Sequence, residues 1–536
     1  MTSGTDTTTR ALLSADWLAT AGRLPAPDPA PRSTVAYRLT VTDPPPGTAP
    51  VTDVLVDLAG GRLGVSRAAG EPPGLLITAP YAAAYDLLLG PARARVEILE
   101  RGDVRVVGNF SLLFFIDAAL ERDRAGQVAA LREGTAVPPG AVRAPGARGV
   151  PREHGDGVAA SPSDAEAVER AAQNLPRTVR ELRREVGDST PGAQFYVSLD
   201  GKTVADAGLG TARPGVAMTA DSMPLWYCCA KPLLSVALGR LWERGDFDPY
   251  LPVAHYLPEF AAGGKTAITS MELLTHTAPV PTGQDPLHGV VGAADEVRLR
   301  RAFEAVVPQR EPGTPAGINY SQWWAWFVLA RLLPVLDGRD YGAYVEEEIL
   351  RPCGMDRTRV YLTPEDYDAY GERLPLIHVS NLGDTPQPTW FWSTRGATTH
   401  CIPGVNTRGP LSDLGRLLEM LLAAGAAPGG RVLSPTSVAA LTGRHRTGVR
   451  DRYGNADWGF GLRLECASLG EEFVSFSRHA SPRAFGHDGL WTATAFADPE
   501  TRLAVALHLN GKVEHERHQE RMFRITDAVH QDLGLV

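Results

Sequence analysis

The sequence predicts an α/β (α+β) protein with two domains, and three observations indicate this. In residues 51–65, VTDVLVDLAGGRLGV, apolar and polar side chains alternate as they do in a half-buried strand. Far downstream, GAQFYVSLDGKTVADAGLG predicts two strands with a turn at Asp200–Gly201. Between these regions, residues 134–163 are rich in Gly, Pro, Ala and Arg and lack an apolar period, which predicts a linker. We therefore expect one domain at 1–133 and a second at 164–536.

The composition disfavours several classes of function. The formal net charge is −9, whereas a nucleic-acid-binding chain usually carries an excess of basic residues. The first residues lack the basic start and apolar run of a secretory signal, and no stretch reaches the roughly 18 apolar residues that span a bilayer. The cysteines are odd in number and show no zinc-ligand spacing, and no glycine-rich phosphate loop is present. We expect a cytoplasmic protein without a nucleic-acid partner, membrane span, metal or cofactor.

The order of predicted strands and helices in the first domain is similar to that of a known domain family. After the strands of residues 51–65, APYAAAYDLLLG predicts a helix that ends at Gly90, and RARVEILERGDVRVVGN predicts two strands joined at Gly102–Asp103. The apolar run FSLLFFIDAALER then continues as an amphipathic helix. This order resembles sterol-carrier-protein-2-like (SCP2-like) domains, and the resemblance implies an apolar tunnel for lipids or acyl chains. A small α/β domain with an ordinary core is the alternative.

A Cys-x-x-Lys pattern in the second domain is the first candidate for chemistry. In MPLWYCCAKPLLSVALGRLW, Pro232 and the apolar residues after it predict a helix that begins close to Cys228. Lys231 lies one turn further on, on the same face. A helix N-terminus and a nearby ammonium both stabilise a thiolate. Taken alone, such a cysteine is more often a small buried apolar residue. Cys229 has the wrong spacing to the lysine.

The sequence segments that follow the Cys-x-x-Lys pattern favour a catalytic role for it. CCAKP is followed by WERGDFD, VAHYLPEF and ITSMELLTHTAPVP. Together they resemble the serine β-lactamases and penicillin-binding proteins, in the branch of class C β-lactamases, esterases and transacylases. That family has Ser-x-x-Lys at this place. The resemblance implies that Cys228 replaces the nucleophilic serine and that Lys231 is the catalytic lysine.

The family's second motif is Tyr-x-Asn, which EPGTPAGINYSQ matches at Tyr320, with Gln322 in place of the asparagine. A tyrosine suits a proton shuttle when a nearby ammonium favours its phenolate. We expect Gln322 to contact the substrate. Aromatic residues cluster beside both motifs, and we expect Tyr227 and Trp323 to line the substrate pocket. Simple core packing between helices is the alternative for these two rings.

The third motif is Lys-Thr-Gly, or His-x-Gly in the esterase branch, and FGHDGLW matches it with His487 and Gly489. Gly489 lets the backbone pass close to the substrate. The resemblance implies that His487 is catalytic and that the backbone N–H groups of Cys228 and Leu490 form an oxyanion hole. Trp491 stands where the family often has a small residue, and we expect it to contact the substrate.

The resemblance implies a β-lactamase/transpeptidase-like antiparallel sheet flanked by helices, with a helical subdomain, over residues 164–536. We expect an enzyme that forms an acyl-thioester on Cys228 and passes the acyl group to an amine or hydroxyl, by amide or ester formation or cyclisation, in specialised metabolite biosynthesis. The partners would be a small-molecule donor and acceptor, with an acyl-carrier or peptidyl-carrier protein or coenzyme A as candidate donor carriers. Two alternatives remain: an esterase or amidase that uses the same site, and a non-catalytic protein that binds a hydrophobic ligand.

Overall fold

The computed structural model describes the following parts of the chain: residues 9–22, 34–57, 62–70, 75–91, 94–95, 98, 104–108, 116, 120, 126–139, 141, 162–279, 320–321, 323–379, 386–389, 391–393, 395–449, 451 and 457–536. The chain divides into two compact units. The smaller unit is built mainly from the residues up to 152, and the larger one from most of the residues after them. Most of the predicted linker lies outside the described residues, so the predicted domain boundaries stay predictions.

The smaller unit contains a five-stranded sheet. Its strands are β1 Thr34–Val41, β2 Val51–Asp57, β3 Leu63–Arg67, β4 Leu75–Ala79 and β5 Arg105–Gly108. They lie in the order β3-β2-β1-β4-β5, with β1 and β4 parallel and the other neighbours antiparallel. The described helices of this unit are Ala15–Ala21, Tyr81–Leu89 and Gln127–Glu133.

Three predicted elements of this unit are confirmed and one is wrong. Burial alternates along β2, with Val54 and Val56 among the buried residues, and the predicted helix ends before Gly90. In the first half of RARVEILERGDVRVVGN, the described residues Ala94, Arg95 and Ile98 are helical and not extended, and the other residues lie outside the described part of the chain. The N–H groups of Ala94 and Arg95 both donate to the carbonyl of Pro91, so the chain turns where a strand would continue. The second half forms β5, as expected.

The larger unit is organised around a seven-stranded antiparallel sheet. The strands after β5 are β6 Gly192–Leu199, β7 Lys202–Arg213, β8 Val216–Ala217, β9 Ile377–Val379, β10 Gln387–Thr389, β11 Ala426–Ala427, β12 Gly430–Arg431, β13 Arg463–Leu464, β14 Phe485–Gly489, β15 Ala493–Asp498, β16 Leu503–Leu509 and β17 Gly511–Lys512. The large sheet has the order β13-β14-β15-β16-β6-β7-β8. The predicted turn at Asp200–Gly201 joins β6 to β7, and both of its residues have positive φ.

Helices cover both faces of this sheet. On one face, an apolar core joins β6 and β16 to the helices Pro162–Asn174, Pro176–Asp188 and His515–Asp532. The helix Leu411–Leu422 packs on β6, β15 and β16. Pro176 separates the first two helices, because proline lacks the N–H that a continuous helix would use.

A mainly helical region lies between β8 and β13. Its α-helices are Lys231–Glu243, Val253–Tyr256, Ser270–Leu274, Trp324–Ala330, Leu332–Leu336, Tyr341–Val345, Pro364–Tyr370, Arg395–Thr399, Leu411–Leu422 and Pro435–Thr442. Shorter 3-10 helices occur in this region at Tyr227–Ala230, Pro258–Gly264, Gly371–Arg373 and Phe391–Ser393, and a π-helix at Glu346–Leu350. Two further 3-10 helices, Ala467–Leu469 and Glu471–Phe473, follow β13. The predicted fold, an antiparallel sheet flanked by helices with a helical subdomain, is confirmed.

Candidate active site

The Cys-x-x-Lys pattern forms a turn that leads into a helix. Cys228 lies in the 3-10 turn Tyr227–Ala230, and the helix Lys231–Glu243 follows directly, with proline in its first turn. Tyr227 has a φ of 48°, a left-handed conformation that is costly for a residue with a bulky side chain. This turn brings the Sγ of Cys228 to 2.9 Å from the Nζ of Lys231, which donates a hydrogen bond to it.

Lys231 is completely buried, so its ammonium depends on nearby groups for stabilisation. Its Nζ also donates to the carbonyl of Gly404 at 3.4 Å. It lies 5.7 Å from the ring centre of Tyr320 and 5.1 Å from that of Trp326, both within the range of a cation–π interaction. These contacts hold the ammonium beside the Cys228 sulfur and the Tyr320 ring.

Tyr320 is positioned by a histidine that the sequence analysis did not single out. The ring centres of Tyr320 and His276 are 4.5 Å apart, and the N–H of Ser321 donates to His276 Nδ1 at 3.1 Å. Burial, with smaller effects from Arg446, Lys231 and a second histidine, holds the pKa of His276 well below its usual range. The ring is therefore neutral, which its role as an acceptor requires.

His487 is the third candidate catalytic side chain, and it projects from β14. Its Nδ1 lies 2.8 Å from the carbonyl of Asp488, a contact that places the ring proton on Nδ1. Burial, together with nearby Lys231 and Arg463, holds the pKa of His487 well below its usual range. Its Nε2 is buried and makes no hydrogen bond to any residue that the structure describes. A substrate N–H or O–H is a suitable donor to this nitrogen.

Gly489 brings β14 against the nucleophile turn. A Cβ at this position would lie 2.5 Å from the carbonyl oxygen of Trp226 and 3.3 Å from the Cβ of Tyr227, so only glycine permits this approach. Leu490 and Trp491 follow with φ values of 21° and 60°, and they turn the chain into β15. Cys228, Leu490 and Trp491 all line the same cleft.

Cys229 lies on the other side of the turn. Its Sγ donates to the backbone carbonyl of His487 at 3.1 Å, and only 1% of the residue is exposed. Burial, and then the neighbouring Cys228, raises the pKa of the Cys229 thiol well above its usual value. All five cysteines are free thiols.

The cleft has a second wall that sequence reasoning missed. Its residues come from distant parts of the chain: Trp458, Arg463, His515, His518 and Gln519. The first two belong to the phrase WGFGLRL, and the last three open the helix His515–Asp532 at HERHQ. Neither segment carries a motif that predicts a site.

Not every predicted site residue lies at the cleft. Cys228, Tyr320, His487, Leu490 and Trp491 line it. In contrast, Tyr227 and Trp323 are 1% and 5% exposed and are not among the lining residues. Burial raises the pKa of Tyr227, as expected for a ring enclosed in the core. Gln322 lies outside the described residues.

The described residues contain neither a metal-binding cluster nor a membrane-spanning helix. Within them, no cluster of three or more His, Cys, Asp or Glu side chains is placed to hold a metal ion. Within the same residues, every helix is too short or too polar to cross a bilayer.

The fold is that of a class of enzymes that transfer or hydrolyse acyl groups. The Beta-lactamase family matches residues 175–530, which is more than half of the chain. The chain therefore belongs to the beta-lactamase family.

Several curated proteins are similar to this chain. Esterase/beta-lactamase LipL of Mycobacterium tuberculosis is 28% identical over 345 residues, covering 59% of this chain and 76% of LipL. Esterase EstB of Burkholderia gladioli is 25% identical over 334 residues, covering 57% of this chain and 82% of EstB. The mitochondrial serine beta-lactamase-like protein LACTB of Mus musculus is 34% identical over 132 residues, and the chain spans only 22% of its length.

Solved structures show the same fold. A family VIII carboxylesterase superimposes with a TM-score of 0.53 at 22% identity, over 66% of this chain and 96% of the other. EstCE1, described as a hydrolase with promiscuous acyltransferase activity, superimposes with a TM-score of 0.52 at 19% identity, over 68% of this chain and 99% of its own. At such identities the likeness concerns the fold.

Proposed function

We propose that Cys228 is a nucleophile that takes an acyl group as a thioester and passes it to an amine or hydroxyl acceptor. One observation carries this proposal: the Sγ of Cys228 lies at the cleft, 2.9 Å from the buried Nζ of Lys231. A thiolate paired with an ammonium is ready to attack a carbonyl without a separate base. The catalytic roles of Tyr320 and His487 belong to the same proposal.

In the acylation step, the Cys228 thiolate attacks the carbonyl carbon of a donor thioester. The oxyanion of the tetrahedral intermediate accepts hydrogen bonds from the backbone N–H groups of Cys228 and Leu490. As the intermediate collapses, the bond from carbon to the donor sulfur breaks, and the departing thiolate takes a proton from the Lys231 ammonium. The acyl group is now bound to Cys228, and Lys231 is a neutral amine.

In the second step, the acceptor amine or hydroxyl attacks the acyl-Cys228 carbonyl. Its proton passes to the Lys231 amine, directly or through the Tyr320 hydroxyl, and the carbon–sulfur bond breaks to restore the Cys228 thiolate. His487 Nε2 orients the attacking group by accepting its hydrogen bond. The aromatic rings that line the cleft limit the access of water and thereby favour an amine or hydroxyl acceptor.

Hydrolysis is the second candidate, and the similar proteins favour it. LipL and EstB are both named as esterases. In an esterase or amidase, water would take the place of the acceptor, and the same residues would release a carboxylic acid. The two functions differ only in the group that enters the second step.

The proposal extends to partners and location. Exchange between two thioesters is nearly balanced in free energy, so an acyl-carrier or peptidyl-carrier protein or a coenzyme A thioester is a suitable donor in specialised metabolite biosynthesis. Five free thiols fit a reducing compartment, which supports a cytoplasmic location. The five-stranded sheet of the smaller unit gives the proposed SCP2-like domain a scaffold on which an acyl chain could bind.

The test is intact-protein mass spectrometry after incubation with N-acetylcysteamine thioesters of several acyl chains. We expect the parent chain to gain the mass of one acyl group, located on Cys228 by peptide digestion. The Cys228→Ala variant should gain none, whereas Cys229→Ala, the matched control, should react like the parent. Adding amines, alcohols or water alone to the acylated protein then shows which acceptor removes the group.

Two results would count against the proposal. An adduct that persists in Cys228→Ala would place the nucleophile elsewhere. No adduct with any donor, together with no reaction of Cys228 with iodoacetamide, would favour a non-catalytic protein that binds a hydrophobic ligand.

A further inference from the structure

An ion pair forms part of the cleft wall next to the candidate nucleophile. Arg463 of β13 and Asp488 of β14 both line the cleft, and the Arg463 guanidinium contacts the Asp488 carboxylate. The Thr494 hydroxyl donates to the second carboxylate oxygen of Asp488. The side chain of Arg463 is only 7% exposed and that of Asp488 32%, so the pair has a buried cation and a carboxylate at the cleft surface.

The rest of the described lining carries little charge. Three of the residues are aromatic: Tyr320, Trp458 and Trp491. Burial holds the pKa values of His487 and His518 well below their usual range, so both rings are neutral near pH 7. Burial also lowers the pKa of the Arg463 guanidinium, whose carbon lies 5.6 Å from the ring centre of Phe476.

We propose that Asp488 is a specificity-determining residue that directs the cleft to uncharged acyl donors by neutralising Arg463. A guanidinium at a cleft is a strong binder of carboxylates, because its N–H groups match the two oxygens. Here Asp488 already occupies that position. A donor with a terminal carboxylate would have to displace Asp488 and would be repelled by it, whereas an amide or an apolar chain meets no such penalty.

The inference rests on the proposed function only in taking Cys228 as the reacting thiol. It deepens that function by naming the substrate class: acyl groups whose distal end is apolar or hydrogen-bonding but uncharged. Acyl chains that end in a carboxylate are disfavoured.

The first arm of the test compares two N-acetylcysteamine thioesters that differ in one group: glutaryl, which ends in a carboxylate, and glutaramoyl, which ends in an amide. We expect the parent to form the glutaramoyl adduct on Cys228 faster. In Asp488→Asn, the ratio of the two rates should shift toward glutaryl by roughly tenfold, as expected for the loss of one negative charge several ångströms away. In Asp488→Asn/Arg463→Gln, which has no pair and no net charge change, the preference for glutaramoyl should return.

The second arm needs no acyl transfer. Iodoacetamide and iodoacetate are similar in size but differ in charge, and both alkylate a reactive thiol. The ratio of their rates at Cys228 should shift toward iodoacetate in Asp488→Asn and toward iodoacetamide in Arg463→Gln. Lys231 is present in every variant, so its own attraction for the anion cancels in the comparison.

The two arms separate the inference from the proposed function. Acylation that fails with both donors while the alkylation ratios shift as stated would contradict acyl transfer and support the role of Asp488. Ratios that stay unchanged in every variant whose thermal unfolding remains cooperative would overturn the inference. If Asp488→Asn does not fold, the other two variants still test the inference. Arg463→Gln should shift the rate ratio toward the uncharged reagent, whereas the double variant should return to the preference of the parent.

Discussion

Cys228 and Cys229 are neighbours in the chain, but they belong to two different regions of the molecule. On the cleft side, the Sγ of Cys228 accepts a hydrogen bond from Lys231, and the residue packs in a cluster with Tyr320 and Trp458. On the sheet side, the Sγ of Cys229 faces the backbone of β14 and donates to the carbonyl of His487. One thiol is placed beside a cation at an open cleft, and the other beside a carbonyl in the core.

The difference teaches that position on the turn, rather than residue type, decides which thiol can react. The left-handed conformation of Tyr227 directs Cys228 toward the cleft, and three residues along the chain bring Lys231 back to the same face. Cys229 points the opposite way, where an uncharged thiol is favoured because burial and the neighbouring Cys228 outweigh the attraction of Lys231 for a thiolate.

The largest effect is expected when a substitution removes the cation from the cleft side. Lys231→Met keeps the length of the side chain but loses the ammonium, so Cys228 should react with thioesters and with iodoacetamide about 10²- to 10³-fold more slowly. Rates are measured by intact mass with peptide mapping. Lys202→Met, at an exposed lysine of β7, is the matched control and should react like the parent. Equal rates in Lys231→Met and the parent would show that the cation does not distinguish the two thiols.

The cleft side is also the region that the sequence predicted best. Cys228, Lys231, Tyr320 and His487 each belong to a short motif with fixed spacing, and the fold that the motifs imply is the fold observed. A local pattern of this kind determines its own geometry: the turn and the helix follow from the positions of Pro232 and the apolar residues after it.

The rest of the site depends on contacts between distant segments, which a single sequence does not reveal. His276 reaches Tyr320 from 44 positions upstream, and Trp458, Arg463 and His518 approach from two further elements. The burial of Tyr227, predicted to contact substrate, follows from the same kind of contact, since β14 packs against the turn at Gly489.

A second prediction concerns a substitution on the sheet side. In Gly489→Ala the new Cβ would lie 2.5 Å from the carbonyl oxygen of Trp226, so β14 and the nucleophile turn must separate. We expect a loss of about 1 to 3 kcal/mol in the free energy of unfolding. The thermal midpoint should fall by a few degrees and the acylation of Cys228 should slow, because the turn that positions it has shifted. Both are measured on the same preparation.

Gly187→Ala is the matched control for this change. Gly187 lies in the helix Pro176–Asp188, and a Cβ there would have no neighbour within 4 Å. The control should be as stable as the parent or slightly more stable, by up to about 1 kcal/mol, because alanine favours a helix over glycine. If both variants lose stability equally, close packing of β14 on the turn is not what holds the sheet side.

The smallest predicted effect concerns the protonation of Cys229. Burial raises the pKa of this thiol in the folded protein well above the ordinary value of 9.0 that applies in the unfolded chain. A raised folded pKa means that the stabilisation is complete below pH 9 and is lost as the pH rises, because the unfolded chain then releases a proton that the folded protein keeps. Between pH 8 and pH 10, the stability advantage of the parent over Cys229→Ala should therefore shrink by about 1 kcal/mol. Urea unfolding at several pH values measures this difference, in which the other cysteines cancel.

A difference that stays constant with pH would mean that Cys229 ionises as easily in the folded protein as in the unfolded chain. The contrast between the two thiols would then rest on Lys231 alone.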